Sequence, residues 1–121
     1  MKVSVPWPPG VLSPNARVDR WTLARAKKAY RAGCGWEAKA AGLPKMTAES
    51  IPVTITFHPP DNRRRDRDNM IAALKSGQDG IADAIGVDDR LWVPTYAVGD
   101  PVPRGAVVFD FGGVWTREAA E

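Results

Sequence analysis

One cysteine and one histidine in 121 residues leave this chain little of the chemistry that soft metals and nucleophilic enzymes use. Cys34 alone allows no intramolecular disulfide and no cysteine-based zinc site, which fits a reducing cytoplasm. His58 alone excludes paired-histidine metal motifs and is a poor starting point for a general base. Long hydrophobic runs are missing too. No segment approaches the roughly 18 apolar residues of a membrane span, and Met1 to Trp7 lacks the apolar core of a signal peptide. A cytoplasmic protein with no membrane partner is expected. A hydrophobic fraction of 44% and a charged fraction of 26% are those of an ordinary globular protein, so disorder is not the default. The length suits one domain with one core, too small for a separate substrate domain beside a catalytic one. A sizeable ligand must then be gripped by the surface or by a second subunit.

What the chain does have is unevenly placed positive charge. The net charge is only +3 with a pI near 9.3, yet Arg17, Arg20, Arg25, Lys27, Lys28 and Arg31 crowd one segment and Arg63, Arg64, Arg65 and Arg67 another. Two basic segments can merge into one surface in the fold, the footprint of a nucleic-acid binder. A solvated charged face accounts for such runs equally well.

Periodicity supplies the frame. Lys2 to Val5 alternates as a short strand and is stopped by Pro6-Trp7-Pro8-Pro9-Gly10. A helix is expected over about 20–41, with Leu23, Ala26, Tyr30 and Cys34 on one face and Ala29, Ala32, Trp36 and Ala40 on a neighbouring one. Gly33 and Gly35 imply a break or a close contact in its middle, and Gly42 with Pro44 ends it. Ile51 to Phe57 is the clearest strand, with Pro52 pointing to an edge position or to the strand's first residues. A second helix over 69–84 carries Met70, Ala73, Leu74, Ile81 and Ile85, with Gly77 and Gly80 as sites for a kink and Gly86 as its stop. Strands over 91–98 and 105–111 follow, and residues 117–121 read as a frayed tail. The order strand, helix, strand, helix, strand, strand predicts an α/β (α+β) fold: one small domain, residues 1–116, with a mixed sheet packed by two main helices.

The segment Arg63-Arg64-Arg65-Asp66-Arg67-Asp68-Asn69 places two carboxylates two residues apart among four arginines. Carboxylates hold hard cations and arginines hold phosphates, so the pairing points to Mg²⁺-assisted chemistry on a nucleic-acid backbone. If the backbone there is extended, both carboxylates reach the same side and can share one ion. The alternative is that either aspartate caps the second helix. Asp88 and Asp89 offer a third carboxylate after that helix, although its rise of about 1.5 Å per residue does not by itself carry Asp89 back to Asp66. Lys75 lies seven residues beyond Asp68, nearly the same direction on a helix, and either reaches a phosphate or pairs with Asp79 at i+4. Trp7 and Trp92 are candidates to stack on an unpaired base, or are core residues.

These pieces resemble the RusA family of Holliday-junction resolvases. The matching segments are Pro6 to Pro9, Arg63 to Asn69, and Asp88-Asp89, in the family's order along most of the chain. The resemblance implies a homodimeric, Mg²⁺-dependent endonuclease (Mn²⁺ as substitute) that cuts four-way and other branched DNA, in a bacterial cell and often phage-encoded. It implies Asp66, Asp68 and Asp89 as catalytic metal ligands and Arg65 as a basic partner. The family's lysine position, four residues after the second aspartate, is Ala72 here, which makes Lys75 its substitute. Arg63, Arg64, Arg65, Arg67, Asn69, Lys27, Lys28 and Arg31 are the expected DNA contacts. A non-catalytic DNA-binding protein, or a nuclease with broader taste for forks and flaps, is the alternative.

Overall fold

The computed structural model of the protein describes residues 1–47 and 49–112. Its elements run β1 (Lys2–Pro6), a 3₁₀ turn (Gly10–Leu12), α1 (Arg20–Ala40), β2 (Ile51–His58), α2 (Arg67–Ile85), a second 3₁₀ turn (Asp89–Leu91), β3 (Trp92–Val98) and β4 (Ala106–Asp110). The expected α+β domain with a mixed sheet and two helices is what forms. The tail over 117–121 and the last residues assigned to the domain, 113–116, lie outside the described residues.

The sheet order is β1-β4-β2-β3, with β2 and β3 parallel and the other pairs antiparallel. A parallel neighbour needs a crossover, and α2 is that crossover between β2 and β3. Alternation then sorts the faces. Val3 and Val5, Ile51, Val53, Ile55 and Phe57, Trp92, and Val107 and Phe109 turn inward, while Ser4, Thr54 and Thr95 remain exposed. β2 is therefore interior, not an edge. Pro52 is tolerated because β4 pairs with β2 only from Thr54 onward, so Pro52 sits among the strand's first residues, beyond that ladder.

The two helices close over the inner face through a glycine crossing. A Cβ at Gly77 would fall 2.5 Å from the Tyr30 ring and 2.9 Å from Cys34 Sγ, and one at Gly80 would overlap the Arg31 carbonyl. One at Gly35 would stand 3.0 Å from the Gly80 carbonyl oxygen. These glycines mark contact, not breaks: α1 and α2 each run as one helix. Gly33 has open space around it and no such role. At the crossing the Tyr30 hydroxyl donates to the Pro6 carbonyl at 2.6 Å. Burial pushes the Cys34 thiol up to about 11, so it stays protonated and acts as a small core residue.

Helix ends follow their caps. Asp19 accepts from the Thr22 amide at 2.8 Å to start α1, and Gly86, at φ 75°, supplies the left-handed stop of α2. Of the first predicted face of α1, Tyr30 and Cys34 are buried and Leu23 and Ala26 half-buried, with Ala38 buried beside them. The neighbouring face of Ala29, Ala32, Trp36 and Ala40 is exposed instead. A sheet only four strands wide carries two helices, so each has one covered side.

Candidate functional site

The loop after β2 carries the arginines to the head of α2. Asp61 organises it. Its carboxylate accepts from the Arg63 amide at 2.9 Å and from Arg65 Nη1 at 3.0 Å, and Arg65 also donates to the carbonyls of Asp61 and Arg63. The hydrogen bond from Arg65, with the Arg63 amide and both guanidinium charges, holds the Asp61 carboxyl below the usual carboxylate value. The Arg65 guanidinium lies 5.6 Å from the centre of the Trp7 ring, and only 17% of the side chain is exposed. Arg65, expected as a DNA contact, is thus the pin of its own loop. Arg63 is 81% exposed with a loose contact to Asp61 at 3.5 Å, while Arg64 and Arg67 face solvent. Trp7, Pro60, Arg63, Arg64, Arg65, Asp66 and Asn69 line one open cleft.

Asp66 is the N-cap of α2: its Oδ1 accepts from the Asp68 amide at 2.8 Å. Asp68 stands in the first helical turn, so the two do not lie on one extended stretch. Both remain exposed, and both are favoured by the positive end of the helix dipole.

Lys75 donates to Asp79 Oδ1 at 2.6 Å and makes a second, shorter contact with Asp89 Oδ2. The pairing with Asp79 at i+4 is realised, with Asp89 added from fourteen residues on. Partial burial pulls the ammonium's pKa down, but the hydrogen bonds and charges of the two aspartates outweigh it and raise the net value. Lys75 is a permanent cation. Asp89 does therefore return to the side of α2 that bears Asp68, yet at the level of Lys75, about 10 Å further along the axis. Among the described residues no three carboxylate, histidine or cysteine side chains gather as a metal-holding group. Asp89 is set apart from Asp66 and Asp68 by its pairing with the Lys75 ammonium, which Asp79 also holds. Mg²⁺ is commonly held by one or two carboxylates plus substrate phosphate, and the exposed carboxylates of Asp66 and Asp68 suit that coordination.

The remaining expected contacts sort by partner. Arg31 binds Asp83 through Nε at 2.7 Å and Nη2 at 2.9 Å, a two-pronged clamp between the helices. Arg31, through its hydrogen bond and then its charge, lowers the Asp83 carboxyl. Lys27 and Lys28 are exposed on α1. His58 Nδ1 meets the Asp100 carbonyl at 2.9 Å, which ties down the turn after β3. Asp88 accepts from the Arg90 amide at 2.9 Å as a turn cap. Trp92 is core, its indole donating to the Val87 carbonyl, and Trp7 packs on Phe57. Among the described residues the exposed tryptophans are Trp21 and Trp36, 67% and 69% exposed on α1. Their signal in the sequence is interleaving with Arg25, Lys28 and Lys39 at helical spacing. Asp61 was equally legible, as the acid following Pro59-Pro60 and preceding the arginines by two and four residues.

These features define a small α+β domain with a basic loop and an acidic helix head. No protein-family model matches the chain. It is 39% identical over 125 residues to an uncharacterized protein of Xylella fastidiosa (strain Temecula1 / ATCC 700964), across 98% of this chain and 79% of that one, and it belongs to that protein's family. No helix among the described residues is long and apolar enough to cross a membrane.

Proposed function

We propose that this protein is a RusA-type endonuclease that binds branched DNA, four-way junctions above all, and hydrolyses its phosphodiester backbone with Mg²⁺, or Mn²⁺ in its place. The observation that carries the reading is the head of α2, where exposed Asp66 and Asp68 stand directly after a loop presenting Arg63 and Arg64 to solvent. Asp66 and Asp68 would hold the metal, which supplies activation of water and neutralisation of charge on the reacting phosphate. Arg63, Arg64 and Arg67 draw the backbone in, and Asn69 offers an amide beside it. Arg65 acts at one remove by fixing the loop on Trp7 and Asp61. Lys75 supplies fixed positive charge further along the same stripe of α2, and Asp89 positions it rather than binding metal. Cleavage leaves a 5′-phosphate and a 3′-hydroxyl. A twofold homodimer gives the two related sites that opposed strands of a junction require.

The division of Asp89 from Asp66 and Asp68 favours a second reading, a DNA-binding protein without catalysis. Incubating a labelled four-way junction with Mg²⁺ separates the two. The endonuclease reading expects paired nicks from the wild type and none from Asp68→Asn at equal binding. Binding without nicks by the wild type establishes the second reading, and comparison with forked and linear DNA fixes the substrate preference.

A further inference from the structure

The outer face of α1 is built unlike a solvated helix surface. At 100° per residue, Trp21, Arg25, Lys28, Ala32, Trp36 and Lys39 fall within an arc of roughly 80°. All of them are exposed. Tyr30, Cys34 and Ala38, the buried side of the same helix, point the opposite way. A lone exposed apolar residue is ordinary, but here two indoles stand on the solvent pole of one helix with cations between and beside them. Charge says which kind of partner fits. From Arg20 to Lys39 the helix carries Arg20, Arg25, Lys27, Lys28, Arg31 and Lys39 against the single acid Glu37, which lies about 160° round from Trp21.

We propose that this stripe is a track for single-stranded nucleic acid, with Trp21 and Trp36 as stacking platforms and Arg25, Lys28 and Lys39 as the phosphate contacts between and beyond them. Aromatic faces set among cations are the combination that binds unpaired strands without sequence preference, because every base has a face to stack and every nucleotide a charge. The two indoles are fifteen residues apart, about 22 Å along the axis, a span of several nucleotides. Arg20 lies over Trp21 at 5.3 Å from the ring centre, which orients that indole and leaves its other face for a base. Lys28, Trp36 and Lys39 also line a shallow groove against Gly80, Asp83 and Ala84, where the Asp83 carboxylate is already taken by Arg31, giving a strand a floor at the α2 side. A second copy of the chain is the weaker occupant. A twofold contact through this stripe sets the same cations against themselves. The track rests on the nucleic-acid part of the proposed function and not on its catalytic part.

The test is a titration of the full chain with a 20-nucleotide oligo-dT and with a duplex of equal length, in EDTA. Binding is read by anisotropy of the labelled DNA and quenching of indole fluorescence. The track predicts tighter binding of the single strand than of the duplex, with quenching. It predicts about fivefold or greater weakening for Trp21→Ala and for Trp36→Ala, most of it recovered by Trp→Phe. Both side chains lie outside the core, so unchanged melting of the variants certifies that they are folded. Equal affinity of wild type and both alanine variants for oligo-dT overturns the proposal. So does dissociation of a dimer by these substitutions with oligo-dT affinity unchanged. Failure of junction cleavage in Mg²⁺ counts against the endonuclease reading and leaves this binding result standing.

Discussion

At the head of α2 the carboxylates of Asp66 and Asp68 face solvent, and the nearby guanidiniums of Arg64 and Arg67 face it with them. Two to four turns further on, the same residue types are engaged with one another: Asp79 and Asp89 close on Lys75, and Asp83 is clamped by Arg31. A charge neutralised by a fixed neighbour holds the fold or positions another group, and one left to solvent is free to take up a ligand. The sequence motif alone does not separate the two kinds, since all are acids and bases at helical spacing. What separates them is the neighbour each meets: α1 brings Arg31 to Asp83 and the turn after α2 brings Asp89 to Lys75, while among the described residues Asp66 and Asp68 make no ion pair.

The largest expected effect breaks the glycine crossing of α1 and α2. Gly80→Ala forces a methyl group into the Arg31 backbone, and destabilisation of about 1–3 kcal/mol or more is expected in denaturant melts. Gly33→Ala, on the same pair of helices but in open space, is expected to stabilise by roughly 0.5–1 kcal/mol. Equal effects of the two would mean that the helices do not meet at Gly80.

The next comparison sets Arg64 against Arg65. Arg64→Ala leaves melting unchanged and lowers the salt slope of DNA binding by about one. Arg65→Ala removes the ligand of Asp61 and the cap on Trp7, so its expected effect is a loosened loop, seen as faster amide exchange over 61–66. A loss of salt slope from Arg65→Ala with no change in exchange would assign it to the phosphate instead.

The smallest effect concerns acid. Asp61 and Asp83 both have carboxyls held below the ordinary 3.8 by their arginines. Folded values depressed below unfolded ones mean that their stabilisation is complete above about pH 3.8 and is lost as pH falls through the depressed values. The melting temperature should therefore be level above that point and fall below it, and Asp83→Asn should make the fall shallower. A decline beginning near neutral pH would contradict these pairings.

Most of the fold was legible from periodicity. The alternation of Ile51 to Phe57, the stop at Gly86 and the order of elements all translate into structure within a residue or two. Pro52 misled only where it suggested an edge, because a sequence shows that an amide is missing and not which neighbour would have used it. Gly35, Gly77 and Gly80 were visible as weak helix formers, but whether a glycine marks a kink or a contact depends on the other helix. The aspartates of the candidate site were equally visible. Their division was not, because it depends on where α2 begins and on the long reach of the Lys75 side chain. Trp21 and Trp36 were hidden by the expectation that tryptophan is core, which holds for Trp92.

The most direct test compares the two ends of α2 in one experiment: single-turnover cleavage of a four-way junction in Mg²⁺ by wild type, Asp68→Asn and Asp89→Asn. If Asp68 holds the metal and Asp89 positions Lys75, Asp68→Asn gives no product above background, and Asp89→Asn still cleaves, slowed by about 10- to 100-fold. Complete loss in Asp89→Asn together with Asp68→Asn, or no cleavage by the wild type, would contradict the account.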